Sequence, residues 1–121
     1  MIFGISYSIP EVILKLSEIN ESTALLAGKY HDVQYLCSFF KVKVLYLVGS
    51  AARAQHQQGE DFDFLVDFTE NNPDERAKLL IALKNQLNSM FNIHIDLYEI
   101  NDPEVEQPIH HKSEKILIYR K

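Results

Sequence analysis

Cysteine occurs once, at Cys37, so no disulfide can form within the chain, and no group of His and Cys residues has the spacing of a zinc site. A reducing, cytoplasmic setting is the expectation. Basic residues are the scarcer charge: 12 Lys and Arg stand against 17 Asp and Glu, leaving a net charge of −5, the wrong sign for a protein that lives on free nucleic acid. Long apolar runs are missing too. Val44–Val48 is only a strand's length, and residues 1–10 lack the basic and extended apolar regions of an export signal, which argues against membrane insertion and secretion. Four Pro and four Gly are scattered rather than gathered into a linker, and no repeat or low-complexity tract is present. What is there, 46% hydrophobic and 24% charged residues over 121 positions, suits one continuous folded domain, 1–121, too short for two independent cores.

Along the chain, Pro10 suits the start of a helix, and Val12, Ile13, Leu16 and Ile19 recur at helical spacing for about two to three turns. Asn20 to Thr23 offer a cap. Leu25, Leu26, Tyr30, Val33, Leu36, Cys37 and Phe40 then form a second helical stripe, broken near Gly28. The texture changes at Lys43: Val44 to Val48 reads as a buried strand that Gly49 stops, and Ala51 to Arg53 read as a short helical turn. Phe62, Phe64, Val66 and Phe68 alternate with Asp61, Asp63, Leu65 and Asp67, the pattern of a strand with an acidic end on one face. Asn71 to Asp74 break that strand and cap a helix reaching about Met90, with Leu79, Leu80, Leu83, Leu87 and Met90 facing the core. Ile93, Ile95 and Leu97 then alternate with His94, Asp96 and Tyr98, which predicts a third strand. Asn101 to Pro108 is polar, and residues 115–119 predict a short final strand. The parts are a helical segment over 1–41, a core over 42–100 and a tail over 101–121.

Asp61 and Asp63 are two apart on a strand, so their carboxylates leave one face with roughly 6.5 Å between α-carbons. Two such groups can converge on hard cations. Asp96 joins them if its strand is a parallel neighbour reached through the intervening helix as a crossover. Three carboxylates on one face repel unless a divalent ion is present, and Mg2+, which takes a few carboxylates plus phosphate oxygens, is the expected occupant. Upstream, Gly49 permits a tight turn after a buried strand, and Ser50 adds a hydroxyl donor for phosphate oxygens. Together these residues describe a site for a nucleoside triphosphate and its metals, arranged for in-line attack.

Gly49-Ser50-Ala51-Ala52-Arg53, followed by Asp61-Phe62-Asp63, a helix and Asp96 in a strand, closely resembles the minimal nucleotidyltransferases of the polymerase-β-like superfamily. Ten residues separate Ser50 from Asp61, the family's spacing. The resemblance runs from about Val44 to Tyr98 and implies an α/β (α+β) fold with a palm-like mixed sheet flanked by helices. It implies that Gly49 and Ser50 touch the β- and γ-phosphates, that Asp61 and Asp63 coordinate two Mg2+ ions, and that Asp96 completes the metal site and helps deprotonate the attacking hydroxyl. Arg53 matches the family's frequent arginine; a phosphate contact and a salt bridge to the acidic cluster are equally open. Ala54 and Glu60 depart from the family's usual small residue or Gly and its usual Ser, and Glu60 adds negative charge beside the metals.

Relatives that adenylylate antibiotics or extend RNA usually carry a helical domain for the acceptor, whereas about twenty residues follow the third strand here. The acceptor is therefore expected on another protein or a second copy. Small members of this family commonly pair with a HEPN-domain toxin, which implies an antitoxin that moves AMP from ATP onto a tyrosine hydroxyl of that partner. A binding module that neutralises its partner by contact alone, and a dimeric small-molecule nucleotidyltransferase with the N-terminal helices at its interface, are the alternatives. Other polar residues read more plainly: Asp67 as a surface carboxylate, His94 as a surface histidine near Asp96, and His110-His111 as an exposed loop pair whose side chains diverge. Lys112, Lys115, Arg120 and Lys121 make the tail locally basic.

Overall fold

A computed structural model describes residues 8–101 and 115–121; His110, His111 and Lys112 lie outside them. Pro10 is the N-cap of α1 (Glu11–Leu16), which buries Ile13 and Leu16 and leaves Val12 and Ile19 largely exposed. The helix is shorter than its apolar spacing predicts, because Asn20 starts the next one. Asn20 Oδ1 accepts the Thr23 amide at 2.9 Å while Thr23 Oγ1 accepts the Asn20 amide at 3.0 Å, a reciprocal capping box that opens α2 (Glu21–Gly28). Lys29 interrupts the helical backbone after Gly28, where the stripe was expected to break, and α3 (Tyr30–Phe39) buries Val33, Leu36 and Cys37.

β1 (Val42–Val48) leads directly into the single turn α4 (Gly49–Ala52), and a polar loop returns the chain to β2 (Phe62–Phe68). Asn72 Oδ1 accepts the amides of Asp74 and Glu75 and Pro73 fills the first position of α5 (Pro73–Phe91), which ends on Asn92 in the left-handed conformation at φ 53°. β3 (Ile95–Glu99) and β4 (Ile116–Arg120) complete the described elements. The sheet order is β3-β2-β1-β4. β1 runs antiparallel to β2 and β4, while β2 and β3 are parallel and joined through α5, as a crossover requires.

This mixed sheet carries α1, α2, α3 and α5 in one apolar cluster against a single face. Phe62, Phe64, Val66 and Phe68 point into that cluster, as their alternation predicts, and meet Leu83, Leu87 and Phe91 of α5. The opposite face holds the acidic positions of β2 and a smaller apolar group, Val48 and Leu65 packed with Tyr46, Tyr98 and Ile100. Asp67 is not the solvated carboxylate its position suggested. At the C-terminal ends of β2 and β3, Arg76 of α5 holds Asp67 at 2.8 Å and Glu99 at 2.7 Å, and donates to the carbonyls of Phe68 and Glu70, which fastens the crossover helix to the sheet.

The core face of α5 is therefore the one through Leu83, with Ile81 on the solvent side at 63% exposure. Leu83→Ala should lower the unfolding free energy by about 3 kcal/mol in urea titrations, whereas Ile81→Ala should change it by no more than about 0.5 kcal/mol.

Candidate active site

The site forms where β1 ends and β2 and β3 begin. Pairing of β1 with β2 sets Val48 opposite Asp63, so the residue after Val48 must turn over the Asp63 side chain. Gly49 does this at φ 72°, and a Cβ added there would overlap Asp63 Oδ2. Glycine is required twice over, by the backbone conformation and by the approach of a carboxylate. On the other flank, parallel pairing puts Asp63 beside Asp96. The two share a hydrogen bond, and burial, that bond and the charges of Asp96 and Asp61 push the Asp63 carboxyl up to about 6 despite the opposing Arg53 charge.

Asp61 lies one residue ahead of β2, with its register set by the Phe62 amide, which donates to the His94 carbonyl at 3.2 Å. That bond brings Asp61 alongside His94. Its imidazole is not simply a surface group: Nε2 lies 2.9 Å from Asp96 Oδ1, and one donor atom from each of Asp61, His94 and Asp96 falls within 4.8 Å of the others. The strand pairings thus gather Asp61, Asp63 and Asp96, as their spacing predicts, and add His94, whose only signal in the sequence was its place two residues before Asp96. Closely set carboxylates, one of them pushed upward by burial and by its neighbours' charge, are a donor set that fits a divalent cation.

Ser50 and Arg53 stand on the β1 side. The Ser50 hydroxyl donates to Glu60 Oε1 at 3.2 Å, and the same oxygen accepts the Gln57 amide at 2.8 Å. Those bonds hold the Glu60 carboxylate below its ordinary range, the Gln57 amide contributing most. Glu60 is therefore engaged by its own loop, and its hydrogen bond turns it toward the Ser50 hydroxyl. Arg53 places its Nε 3.3 Å from Gln55 Oε1 and acts on Asp63 through its charge.

The loop between α4 and β2 is held by the N-terminal helices, a role that composition and spacing did not disclose. His56 is buried against Phe62, with ring centroids 4.7 Å apart. Its Nε2 meets the Glu60 carbonyl at 2.9 Å, and its own carbonyl accepts Asn20 Nδ2 at 3.0 Å. Ser22 Oγ accepts the Gly59 amide, and the Ser22 amide donates to Gln58 Oε1. Asn20 and Ser22, legible beforehand only as capping residues, also fasten the loop that carries Glu60. Between α2 and the end of α5, a cleft of about 710 Å³ opens beside Asp61 and His94, lined also by Leu25, Gln58 and Met90. Of the acidic group only Asp61 lines it, together with His94, and Gly49 and Ser50 lie outside it.

Residues 33–121 match the family model described as Nucleotidyltransferase domain. The chain is 36% identical over 107 residues, 86% of its length and 96% of the relative's, to Putative protein adenylyltransferase MJ1217 of Methanocaldococcus jannaschii. Among solved structures, a toxin-antitoxin with AMP-PNP superposes with a TM-score of 0.56 over 76% of this chain and 73% of that one, and a mutant of the toxin-antitoxin MntA-HpeT superposes over the same shares at 0.55. Both are 15% identical, so the likeness is one of fold.

Two outcomes follow from the crowding around Asp63. Its folded-state value, about 6, lies above the ordinary 3.8, so the folded chain holds a proton that the unfolded chain has released, and this group's contribution to stability falls as pH rises from about 4 through about 6. In metal-free buffer, Asp63→Asn should be more stable than the parent at pH 7.5 by about 1 kcal/mol, the ideal value being reduced by solvent screening, with the gap closing near pH 4 in paired urea titrations. Gly49→Ala should cost about 2 kcal/mol or more, from left-handed strain plus overlap with Asp63, and circular-dichroism melts would register it.

Proposed function

Starting from the premise that this chain belongs to the nucleotidyltransferase family, we propose that it moves AMP from ATP onto a hydroxyl of a partner protein, a tyrosine of a HEPN-type toxin, and acts as that toxin's antitoxin. The observation that carries the reading is the convergence of Asp61, Asp63 and Asp96 beside the Gly49-Ser50 turn. A relative whose name is Putative protein adenylyltransferase MJ1217, aligned over nearly its whole length, supports a protein acceptor, and two toxin-antitoxin structures of the same fold support the kind of partner.

In this reading the triphosphate lies on the Gly49-Ser50 side, where the backbone turn approaches Asp63 without an intervening Cβ and Arg53 supplies positive charge. Ser50 would exchange its bond to Glu60 for one to a phosphate oxygen. Asp61, Asp63 and Asp96 would hold divalent ions, Mg2+ being the ordinary choice for carboxylates and phosphate together; bound there, they neutralise charge on the triphosphate and the attacking oxygen. The acceptor approaches from the cleft between α2 and α5, which Asp61 lines. Its hydroxyl oxygen forms a bond to the α-phosphorus while the bond from that phosphorus to the pyrophosphate oxygen breaks, and Asp96 takes the hydroxyl proton. On the toxin, the added nucleotide brings a bulky anion to a surface that must otherwise accept RNA.

Intact-mass spectrometry tests this. The protein encoded beside this chain is incubated with it, Mg2+ and each of the four nucleoside triphosphates in turn. Mass should rise by whole AMP units with ATP, and Asp61→Asn combined with Asp63→Asn should abolish the gain. A stable complex without any mass gain would replace catalysis by neutralisation through contact. Transfer to a small molecule instead of the protein would point to a dimeric small-molecule enzyme.

A further inference from the structure

The carboxylates described above are an all-oxygen donor set, but the structure places an imidazole among them. We propose that His94 is itself a metal ligand through Nε2, so that the ion between Asp61 and Asp96 sits in a mixed nitrogen–oxygen site that takes Mn2+ in preference to Mg2+. This rests on the reading of the acidic cluster as a cation site and adds the chemical class of the cation.

Three observations carry it. Asp61, His94 and Asp96 each offer one donor atom within 4.8 Å of the other two, so a single ion can reach all three. His94 Nε2 and Asp96 Oδ1 are hydrogen-bonded at 2.9 Å, and because adjacent ligands of an octahedral ion bound at about 2.1 Å lie about 3 Å apart, an ion can replace that bond with little movement of either side chain. The backbone fixes this grouping as well. The Phe62 amide is bonded to the His94 carbonyl, which locks Asp61 and His94 side by side at the starts of two parallel strands, whereas Asp63 is turned toward Gly49 and the phosphate side. Asp63 meets this trio through its hydrogen bond to Asp96, while its other flank faces Gly49.

Nε2 can bind an ion only through its lone pair, so the proton of a ligating imidazole resides on Nδ1 and the hydrogen bond to Asp96 gives way to the ion. Hard Mg2+ gains little from a nitrogen donor and retains oxygen ligands and water. Mn2+ accepts the same octahedral geometry and carboxylates while also binding imidazole more readily, which turns one histidine into a selectivity device. His94 is exposed, so replacing it disturbs no core packing.

The test uses the tag-free full chain and Mn2+ alone, without nucleotide. Pulsed electron paramagnetic resonance of bound Mn2+ should show coupling to a nitrogen nucleus in the parent and lose it in His94→Gln, which keeps a polar side chain of similar reach. In calorimetric titrations the same substitution should weaken Mn2+ binding by about tenfold and change Mg2+ binding by less than about threefold. Bound Mn2+ without nitrogen coupling, coupling that survives in His94→Gln, or an unchanged preference between the two ions would each overturn the role of His94 while leaving the carboxylate site standing. Failure of the parent to bind Mn2+ at all would overturn the cation reading of the cluster as well.

Discussion

Asp63 is held between two neighbours that the sheet does not allow it to leave. Antiparallel pairing with β1 puts Gly49 over its carboxylate, and parallel pairing with β3 puts Asp96 against its side. The carboxyl responds by rising to about 6, a cost that the rest of the fold sustains through ordinary burial on the opposite face. Much of the surrounding structure serves this crowded point. The left-handed turn at Gly49 exists so that the chain can pass it, and the α5 crossover exists to deliver Asp96 in parallel register. The Arg76 cluster with Asp67 and Glu99 fastens that crossover at the far end of the same two strands. Charge concentrated at one end of β2 and balanced at the other leaves the centre of the strand free to be apolar.

The N-terminal helices contribute to the site without supplying a candidate ligand. α2 begins at Asn20 and Ser22, and both reach across to the loop that separates α4 from β2. His56, buried on Phe62, bonds the carbonyl of Glu60, so the segment leading into Asp61 is fixed from the helix layer as well as from the sheet. This explains how a polar, exposed loop keeps its two ends close enough to hold Ser50 and Glu60 in contact. It also creates the cleft, because the same helix that clamps the loop forms one wall beside Asp61 and His94. Among the described residues no helix is long and apolar enough to cross a membrane. The buried residues of α1, α2, α3 and α5 pack in the cluster on the sheet.

Local pattern made much of this legible. The period-two alternation from Phe62 to Phe68 assigns each residue to its face, Gly49 marks the strand end, and Ser50, Asp61, Asp63 and Asp96 carry the resemblance to the nucleotidyltransferases. Elsewhere the same kind of reasoning fell short for a definable reason. Asp67 shares its face with Asp63, yet its partner Arg76 comes from a helix whose rotation about the strand the spacing alone does not specify. His94 is exposed and on the expected face, and its contact with Asp96 depends on side-chain direction as well as spacing. His56 carried no pattern at all, since a lone histidine in a polar loop becomes a core residue only when Phe62 and Asn20 arrive to enclose it.

Periodicity, glycine and the order of acidic residues are properties of neighbours along the chain, and for that reason the sequence by itself determined the elements, their buried faces and the identity of the three carboxylates. Distances between residues far apart in the chain are set by packing and register, so only the tertiary structure decided which groups share a hydrogen bond or a loop. The 2.9 Å approach of His94 to Asp96 requires both to leave the same side of β3 at its start, and its meeting with Asp61 requires the Phe62 amide to pair with the His94 carbonyl. The clamp of α2 on the Glu60 loop joins residues 36 and 37 positions apart. No local preference encodes such contacts; they follow from burying one face of a twisted sheet under the helices that the same chain supplies.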